Sequence, residues 1–448
     1  MNDIRLPSYV QTALARLERA GFEAYAVGGC IRDSLRGVVP HDWDITTSAR
    51  PEEMQRVFAG LPVIETGLRH GTLTVLSEGQ PLEITTYRID GTYHDGRHPD
   101  AVHFSDRLTE DLARRDFTVN AMAYAPGRGL CDPYGGQRDL AARVLRCVGE
   151  PARRFEEDAL RILRALRFAS VLGFSVEPAT GNALLRERER LSLVSAERIA
   201  EELTRLLCGD GASDVLRRYA PVVFTVLPEL APLYGFDQHN RHHCYDVYEH
   251  TLHALAASPP DPLIRWAVLL HDSGKPAACS VGADGQGHFY GHPAQSAVLA
   301  EQILTRLRFS RRDREAVVEL VRCHDAPIEP TVRAVRRRIS RLGEQRFEQL
   351  LAVREADHAA QHPDFRPANR AWDAAIRELW QQIREENDCL SLSSLAVNGR
   401  TLQALGIPAG PLLGRILRQL LDAVLDGRCE NREEPLCALA LQLYRQTR

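Results

Sequence analysis

The sequence predicts an α+β protein in which a mixed N-terminal domain precedes an all-helical remainder. Three β-type runs, AYAVGG, GTLTVL and LEITTYRI, alternate with helical stretches between about Tyr25 and Leu140, a pattern typical of a sheet packed against helices. From Ala141 onward the apolar residues recur at helical spacing, as in ALRILRALRFASVLGF. The length of 448 residues allows about two to four domains.

Composition and charge narrow the class of protein. Apolar residues make up 44% of the chain and charged residues 26%, the balance of a soluble globular protein. The net charge of −4 excludes a uniformly basic nucleic-acid binder. Of the 56 basic residues one, Lys275, is lysine and the other 55 are arginine. A GC-rich genome accounts for such an excess, yet guanidinium groups also suit phosphate and base edges better than ammonium groups do.

The sequence also predicts a cytoplasmic protein without a membrane segment. The longest apolar runs span only a few residues, as in WAVLL from Trp266 to Leu270. The N-terminal MNDIRLPSYV lacks the basic and apolar regions of a signal peptide. Ten cysteines without a C-x-x-C pair favour reduced thiols over a disulfide framework.

The stretch YAVGGCIRDSLRGVVPHDWDITT contains the first candidate chemistry. A predicted strand ends at Gly28 and Gly29 and a helix follows, so the backbone amides there can approach an anion. Arg32, in the first turns of that helix, adds a fork suited to phosphate oxygens. Asp42 and Asp44 lie two apart on a predicted strand and point to one face, where a divalent cation relieves their repulsion.

A third carboxylate, Glu83, lies on another predicted strand, in LEITTYR. Carboxylates on adjoining strands can hold two Mg²⁺ ions, an arrangement that activates a hydroxyl and stabilises a leaving phosphate. Taken alone, Glu83 is equally a solvent-facing strand residue, and an isolated D-x-D triplet is usually a solvated turn. The combination of the glycine pair, the arginine and the three carboxylates favours metal-dependent phosphoryl transfer.

Five motifs follow one another in the first half of the chain. They are GG-x-x-RD, D-x-D, RRDFTVNAMAY from Arg114, DPYGGQRDL from Asp132 and EDALRILRALRFA from Glu157. In this order and spacing they closely resemble the class II tRNA nucleotidyltransferases, the CCA-adding enzymes and the bacterial poly(A) polymerases. The resemblance covers roughly residues 20–230. It implies an enzyme that adds C, C and A to the 3′ end of tRNA from CTP and ATP and releases pyrophosphate; poly(A) synthesis is the alternative.

The resemblance also implies roles for individual residues. The catalytic Mg²⁺ ions fall on Asp42 and Asp44, with Glu83 as the third catalytic carboxylate. Asp116 and Asn120 shape the sugar site. The positions that match nucleotide-binding residues of the family are Gly29, Arg32, Arg115, Asp158, Arg161, Arg164 and Arg167.

Asp158 and Arg161 are the candidates for base selection. They are three residues apart on a predicted helix and therefore share a face. An aspartate can accept from the exocyclic amine of cytosine or adenine while an arginine donates to the ring nitrogen, and uracil and guanine present a carbonyl instead of the amine. The alternative is a basic, solvated helix face tied by pairs such as Glu157–Arg161.

A polar, glycine-containing segment, RIDGTYHDGRHPDAVHF, runs from Arg88 to Phe104. It resembles the flexible loop that CCA-adding enzymes need for switching from C to A addition, which favours the complete reaction. His98 departs from the family, where relatives often have arginine.

A second group of candidate residues begins at HNRHHCYDVYEHTLHA and continues through HDSGK, GHP, CHD and READHAAQ. The pattern resembles the HD superfamily of metal-dependent phosphohydrolases. The implied ligands suit Mn²⁺, Ni²⁺, Co²⁺ or Fe²⁺, and Asp325 competes with Asp357 for the last position. His292 and His324 are candidates for a second-metal position. The implied ligands are His250, His271, Asp272 and Asp357.

The HD resemblance leaves its activity open. Hydrolysis of a phosphate ester as the main or an additional activity is one interpretation, and a structural or RNA-positioning module is the other.

A further basic stretch, RAVRRRISRLGEQR, is a candidate track for tRNA phosphates, although a solvated helix face is at least as common. The sequence does not determine the oligomeric state. The predicted domains are a nucleotidyltransferase head (1–140), a nucleobase-recognising and RNA-binding helical neck (141–218), an HD domain (219–361) and a helical tRNA-binding C-terminal body and tail (362–448).

Overall fold

The computed structural model describes residues 4–65, 67–68, 71–90, 102–283, 285–386 and 388–447. The chain falls into two compact units, Met1–Pro228 and Glu229–Arg448. The first unit combines a mixed sheet with helices and the second is mainly helical, so the predicted α+β fold class is confirmed. The finer division into four domains stays a prediction.

A mixed sheet organises the first unit. The strands of this unit are β1 Ala24–Val27, β2 Asp44–Thr47, β3 Val63–Ile64, β4 Thr72–Ser77, β5 Gln80–Thr86, β6 Arg88–Asp90, β7 Val102–Phe104, β8 Ala123–Ala125, β9 Gly129–Cys131, β10 Val144–Leu145 and β11 Ser175–Val176. Seven of them form one sheet in the order β3-β4-β5-β2-β1-β8-β9. The strands β6 and β7 pair with each other, as do β10 and β11.

The centre of the sheet places the first candidate carboxylates. Every residue of β1 is buried, and β2 pairs antiparallel with β1 and parallel with β5. The ladder between β1 and β2 ends at the pair Val27–Asp44, because Gly28 then turns the chain with a φ of +87°. Asp42 therefore lies ahead of β2. The prediction that both aspartates lie on one strand is wrong for Asp42 and confirmed for Asp44.

Helices pack on the sheet, and further helices form the rest of the first unit. In α1 the buried residues Val10, Leu14 and Leu17 follow helical spacing and join the same apolar core as Ile84 of β5. The helices of this unit are α1 Ser8–Arg19, α2 Gly29–Leu35, α3 Pro51–Val57, α4 Leu108–Ala113, α5 Gly136–Ala141, α6 Pro151–Glu157, α7 Leu160–Leu172, α8 Pro178–Glu187, α9 Ala196–Leu207, α10 Ala212–Arg218 and α11 Ala220–Val226.

Helices also dominate the second unit, where β12 Ser280–Val281 and β13 Gly287–His288 form one short antiparallel pair. Leu402, Leu420 and Leu436 belong to an apolar cluster near the C-terminus. Within the described residues, no helix has the length and apolar character needed to cross a membrane. The helices are α12 Val247–Ala257, α13 Pro262–Leu270, α14 Lys275–Ala278, α15 His292–Arg306, α16 Arg311–Cys323, α17 Val332–Leu342, α18 Glu344–Ala360, α19 Arg366–Glu385, α20 Gly399–Ala404, α21 Pro411–Leu425 and α22 Glu433–Gln446.

Candidate active site

A cavity of about 400 Å³ opens where β1 turns into α2. It gathers residues from the sheet, from the segment after α4 and from α7, which are far apart in the sequence. Nine of the predicted site residues lie on its wall, namely Gly29, Arg32, Asp42, Asp44, Arg115, Asp116, Asn120, Arg164 and Arg167. The lining also includes Gly28, Cys30, Asp33, His41 and Phe168.

The turn at Gly28 requires glycine for two reasons. Its φ of +87° lies in the region that side chains disfavour, and a Cβ there would stand 2.9 Å from Nη1 of Arg115. The backbone at the start of α2 is therefore bare on the side that faces the cavity. Such a surface allows close approach by an anionic group.

The carboxylates at the cavity carry charge that the protein only partly neutralises. Asp44 pairs in register with Glu83 across β2 and β5, so both side chains leave the same face of the sheet. Asp44 remains exposed at the cleft, yet crowding by protein atoms removes part of its hydration and raises its pKa to about 6, against the opposing charge of Arg115. The charges of Glu83 and Asp42 raise this pKa further.

This donor set fits a divalent cation. Exposed carboxylate oxygens that destabilise one another's charge are the ligands that Mg²⁺ prefers. The three predicted carboxylates Asp42, Asp44 and Glu83 are thus compatible with metal binding.

Arg115 is fixed beside the carboxylates by a residue that the sequence did not reveal. Nη2 of Arg115 lies 3.5 Å from Oδ2 of the fully buried Asp111, which also accepts from Arg114 and, at 3.1 Å, from the hydroxyl of Thr46 in β2. Burial opposes ionisation of Asp111, but Arg114 and Arg115 outweigh it and lower the pKa of this carboxyl. The i,i+4 spacing of Asp111 and Arg115 was the available signal.

Arg32 and Arg164 are held by acceptors in the cavity wall. Arg32 donates to both carboxylate oxygens of Asp33, at 2.9 and 2.8 Å, and to Oδ1 of Asn120 at 2.7 Å. Arg164 donates through Nε and Nη2 to Oδ2 of Asp116, at 2.9 and 2.7 Å. Burial alone would raise the pKa of Asp116, but Arg164 and Asn120 lower it to about 2. The two guanidinium groups are therefore oriented before any ligand binds.

Phe168 is a second residue that the sequence did not single out. The guanidinium carbons of Arg32, Arg164 and Arg167 lie 5.2, 5.5 and 3.9 Å from its ring centroid. The negative ring face attracts cations, so one aromatic side chain helps to gather three arginines at the cavity. An aromatic residue within an arginine stripe at i+1 and i+4 was the signal for this contact.

The histidines and aspartates of the second unit form a separate, buried cluster. Nε2 of His250 lies 2.9 Å from Oδ1 of Asp357, and Nε2 of His271 lies 3.1 Å from Oδ2 of Asp272. The other oxygen of Asp272 lies 3.2 Å from Nε2 of His292. The four predicted HD ligands are thus brought together, and Asp357 rather than Asp325 reaches His250.

The orientation of the imidazoles fits a metal site. Nδ1 of His271, His292 and His324 each lies 2.7–2.9 Å from a backbone carbonyl, so their Nε2 atoms face the cluster. Within the described residues Nε2 of His271 has no hydrogen bond of good geometry, although it is buried. Lys275 supplies an internal cation, with Nζ 2.7 Å from Oδ2 of Asp272.

Comparisons with known proteins agree with the cavity in the first unit. The family described as Poly A polymerase head domain matches residues 24–146, the RNA and SrmB-binding site of polymerase A matches residues 173–221, and tRNA nucleotidyltransferase domain 2 matches residues 293–440. A CCA-adding enzyme of Lactobacillus delbrueckii subsp. bulgaricus is 35% identical over 439 residues, which cover 96% of this chain and 97% of that protein. The chain belongs to the CCA-adding enzyme family.

Other CCA-adding enzymes show the same likeness. The CCA-adding enzyme of Lactobacillus johnsonii is 33% identical over 420 residues, which cover 94% of this chain and 93% of that protein. The structure of the Bacillus stearothermophilus CCA-adding enzyme in complex with CTP is 28% identical, covers 99% of both chains and has a TM-score of 0.71. The resemblance to class II tRNA nucleotidyltransferases is thereby confirmed, whereas the HD resemblance stays a prediction.

The predicted helical face of Asp158 and Arg161 is wrong in this CCA-adding enzyme. The chain leaves the helix at Asp158, with φ −143° and ψ 104°, so α6 ends before it and α7 begins after it. Asp158 lies 3.2 Å from Arg198, while the buried Arg161 donates to Glu157 at 2.8 Å and to the carbonyl of Arg114 at 2.9 Å. Neither residue is among the described residues on the cavity wall.

The family's flexible loop falls largely outside the described residues, which omit positions 91–101 and with them His98. The flanking strands β6 and β7 pair antiparallel, with Arg88 opposite Phe104. The role of the loop in switching from C to A addition stays a prediction.

Proposed function

We propose that this chain completes the 3′-CCA end of tRNA in the cytoplasm, using CTP and ATP and releasing pyrophosphate. The observation that carries the proposal is the cavity over Gly28, where a carboxylate cluster meets a wall of oriented arginines. The relatives that align over nearly the whole chain are CCA-adding enzymes, which favours this reaction over poly(A) synthesis.

Asp42, Asp44 and Glu83 would hold Mg²⁺. Bound there, the metal would supply the charge that activates a 3′-hydroxyl and stabilises the leaving pyrophosphate. The protein's own part is positioning. The bare backbone at Gly28 and Gly29 admits the triphosphate, and the neighbouring guanidinium groups stabilise its negative charge.

The nucleotide would lie against the arginine wall. Arg32, Arg115, Arg164 and Arg167 would bind its phosphates and its base, and Asp116 would act by orienting Arg164. The ring of Phe168 helps to hold the guanidinium groups of Arg32, Arg164 and Arg167 together before a nucleotide enters.

Base selection by Asp158 and Arg161 would require both side chains to leave their present partners. The carboxylate of Asp158 would separate from Arg198, and the guanidinium of Arg161 from Glu157. Such an exchange is consistent with a site that forms only around the correct base, because the incorrect base would offer no replacement for the lost ion pairs. Asp158 lies between α6 and α7, so such a movement would not have to break a continuous helix.

The histidine cluster of the second unit would hold a further divalent cation. His250, His271, Asp272 and Asp357 would be the ligands, and Mn²⁺, Ni²⁺, Co²⁺ or Fe²⁺ suits imidazole combined with carboxylate. When bound, the metal would supply Lewis-acid activation of a phosphoryl group. We propose phosphate-ester hydrolysis as an additional activity because a cavity of about 310 Å³ opens onto Asp272 and Asp357.

An experiment with generic substrates tests this second activity. Purified protein is stripped with a chelator, reloaded with each metal and assayed for bound metal and for hydrolysis of p-nitrophenyl phosphate and bis-p-nitrophenyl phosphate. We expect H271A and D272N to lose both metal and hydrolysis, whereas H239A, at an exposed histidine, keeps both. Equal hydrolysis by H271A and the wild type would eliminate the proposal.

The basic stretch that begins at Arg333 is a poorer candidate for tRNA contact than its sequence indicates. Arg333 and Arg337 both bind Asp426, at 2.9 and 2.7 Å, and Arg336 binds Asp388 at 2.5 Å. These arginines connect helices within the second unit. Their charges are therefore already paired.

Another surface of the second unit offers unpaired arginines for tRNA phosphates. A cavity of about 850 Å³ is lined by six arginines and three glutamates, which leaves an excess of three positive charges. The side chains of Arg312, Arg322 and Arg341 have no ion pair or hydrogen bond to any described residue. We propose that this concave surface binds the tRNA backbone. Its charged residues are Glu301, Arg311, Arg312, Arg314, Glu315, Glu319, Arg322, Arg341 and Arg346.

Sequencing of reaction products tests the main function. The substrates are tRNAs that end before, within and after the CC of the terminus, each incubated with Mg²⁺, CTP and ATP. We expect each substrate to be completed to CCA and extension to stop there, and D42N to be inactive. Extension of generic RNA with A alone would instead identify a poly(A) polymerase.

A further inference from the structure

The helix α9 buries one carboxylate behind the arginine wall. Its apolar face contains the buried residues Ile199, Leu203, Leu206 and Leu207, and Glu202 is buried together with them. The side chain of Glu202 is only 7% exposed. A charge removed from water in this way destabilises a protein unless a partner compensates it.

The partners of Glu202 are two arginines of the nucleotide cavity. Oε2 of Glu202 lies 2.5 Å from Nε of Arg167, and Oε1 lies 3.8 Å from Nη1 of Arg164. The two oxygens are thus divided between two guanidinium groups that stand one turn apart on α7. Both arginines line the cavity, whereas Glu202 is not among its lining residues.

Without such a partner these arginines would repel each other. Arg164 and Arg167 share the ring of Phe168 with Arg32, so three positive charges lie close together. Burial and the charge of Arg164 lower the pKa of Arg167, and Glu202 opposes both effects. A long arginine side chain also loses conformational freedom when it is fixed. Because Glu202 already fixes these arginine side chains, the nucleotide does not have to order them when it binds.

Asp116 supports only one of the two arginines. Asp116, which follows α4, accepts hydrogen bonds from Arg164 at 2.9 and 2.7 Å. Among the described residues, Glu202 is the carboxylate that contacts both Arg164 and Arg167. The geometry of Arg167 therefore depends on α9.

We propose that Glu202 is a positioning residue for the nucleotide, which it does not touch: it holds Arg164 and Arg167 in a fixed arrangement on the cavity wall. This inference rests on the proposed nucleotide site. It gives α9 a role in substrate binding in addition to helix packing. One turn earlier on the same helix, Arg198 contacts Asp158 at 3.2 Å, so α9 reaches a second candidate recognition residue.

The test compares E202Q with E201Q. Glu201 is the preceding residue of α9, but its side chain is 61% exposed and pairs with Arg205 on the surface. We expect E202Q to raise the KM for CTP and ATP about tenfold or more, the loss typical of a charge-assisted hydrogen bond, with a much smaller change in kcat. E201Q should stay within about twofold of the wild type.

A double-mutant cycle separates positioning from general stability. If Glu202 acts through Arg167, E202Q should raise KM far less in an R167Q background than in the wild type. An undiminished effect in that background, or an unchanged KM accompanied by a lower Tm, overturns the inference. If E202Q does not fold, E202D is compared with E201D in the same cycle.

The same assays distinguish failure of this inference from failure of the proposed function. If the wild type does not extend tRNA and binds neither CTP nor ATP, the proposed function is wrong. If the wild type extends tRNA and D42N does not, the function stands, and the E202Q result then decides the role of Glu202 alone.

Discussion

The two candidate metal sites of this chain solve opposite electrostatic problems. At the cavity of the first unit, loss of hydration raises the pKa of Asp44 to about 6, and the charges of its exposed neighbours Glu83 and Asp42 add to this rise. In the second unit, Asp272 is buried, and His271 and Lys275 hold its pKa well below the usual range although burial opposes them. At the first site Arg115 only partly offsets the carboxylate charges, so an external cation would complete the charge balance. At the second site Lys275 already contacts Asp272 directly.

The difference suggests different functional properties. An open carboxylate cluster can exchange Mg²⁺ together with each nucleotide, as repeated addition requires. A buried cluster with an internal lysine can stay folded without a metal, and a metal entering it must compete with the ammonium group. The predictions below test this comparison.

The largest effect is expected from removing one charge at the open site. D44N should lower the rate of CCA addition by about 10³-fold or more, because the amide cannot replace a carboxylate ligand of Mg²⁺. The measurement is single-turnover extension of a tRNA that lacks CCA. D106N is the control, since the side chain of Asp106 is 80% exposed. Comparable rates for D44N and D106N would contradict the assignment of Asp44.

Removing the internal cation tests the buried site. K275M should lower the free energy of unfolding of the apo protein by about 3–5 kcal/mol, because it leaves the carboxylate of Asp272 buried with fewer positive partners. Added Mn²⁺ or Ni²⁺ should restore part of this loss, because a bound cation takes over the missing charge. Urea unfolding with and without metal measures both effects, with K275R as the conservative comparison.

The expected pattern for K275M is specific to an internal cation. A variant as stable as the wild type in the presence of a chelator would show that Lys275 does not balance the buried charge. Stability that is lost and not regained with any of the metals would argue against a metal site at Asp272.

The third prediction concerns pH and the arginine wall of the first unit. Because the pKa of Asp116 falls to about 2 in the folded state, its contribution to stability is complete above pH 4 and is lost as the pH falls toward 2. The difference from the ordinary value of 3.8 corresponds to about 2 kcal/mol. Between pH 4 and pH 2, the free energy of unfolding of the wild type should therefore fall by about 2 kcal/mol more than that of D116N. Parallel curves for the two proteins would contradict the assigned pair of Asp116 and Arg164.

The smallest effect is expected at the arginine-lined surface of the second unit. The double variant R322Q/R341Q should weaken tRNA binding severalfold and reduce the slope of log Kd against log salt by about 2, one for each lost phosphate contact. Arg56 of the first unit, 77% exposed, provides the control variant R56Q. Fluorescence anisotropy at several salt concentrations measures both quantities, and an unchanged slope would place the tRNA elsewhere.

Local motifs allowed much of the open site to be predicted from the sequence. The glycine pair, Arg32 and Asp44 follow one another within a strand, a turn and a helix, so their proximity is fixed by short-range geometry. Glu83 was a weaker prediction, because its position depends on the parallel pairing of β2 with β5. The same reasoning failed at Asp158, where helical periodicity continues through a break in the helix.

Asp111, Phe168 and Glu202 could not be identified in the same way. Each of them acts by holding arginines. Spacing along the chain was a weak signal for Asp111 and Phe168, whereas nothing near Glu202 in the sequence shows which arginine it binds. Asp111 is four residues from Arg115, but Glu202 is 35 residues from Arg167, on a different helix. Their roles depend on how the helices pack.

The sequence by itself determined the order of the elements, the family and the types of charge available to each site, because these follow from local pattern and composition. The tertiary structure decided which carboxylate each arginine binds. It pairs Arg333 and Arg337 with Asp426 and gives the side chains of Arg322 and Arg341 no partner among the described residues, although the sequence makes all four equally basic. The physical reason is that an ion pair depends on separations of a few ångströms between residues distant in the chain, and only the packing of the elements sets those separations.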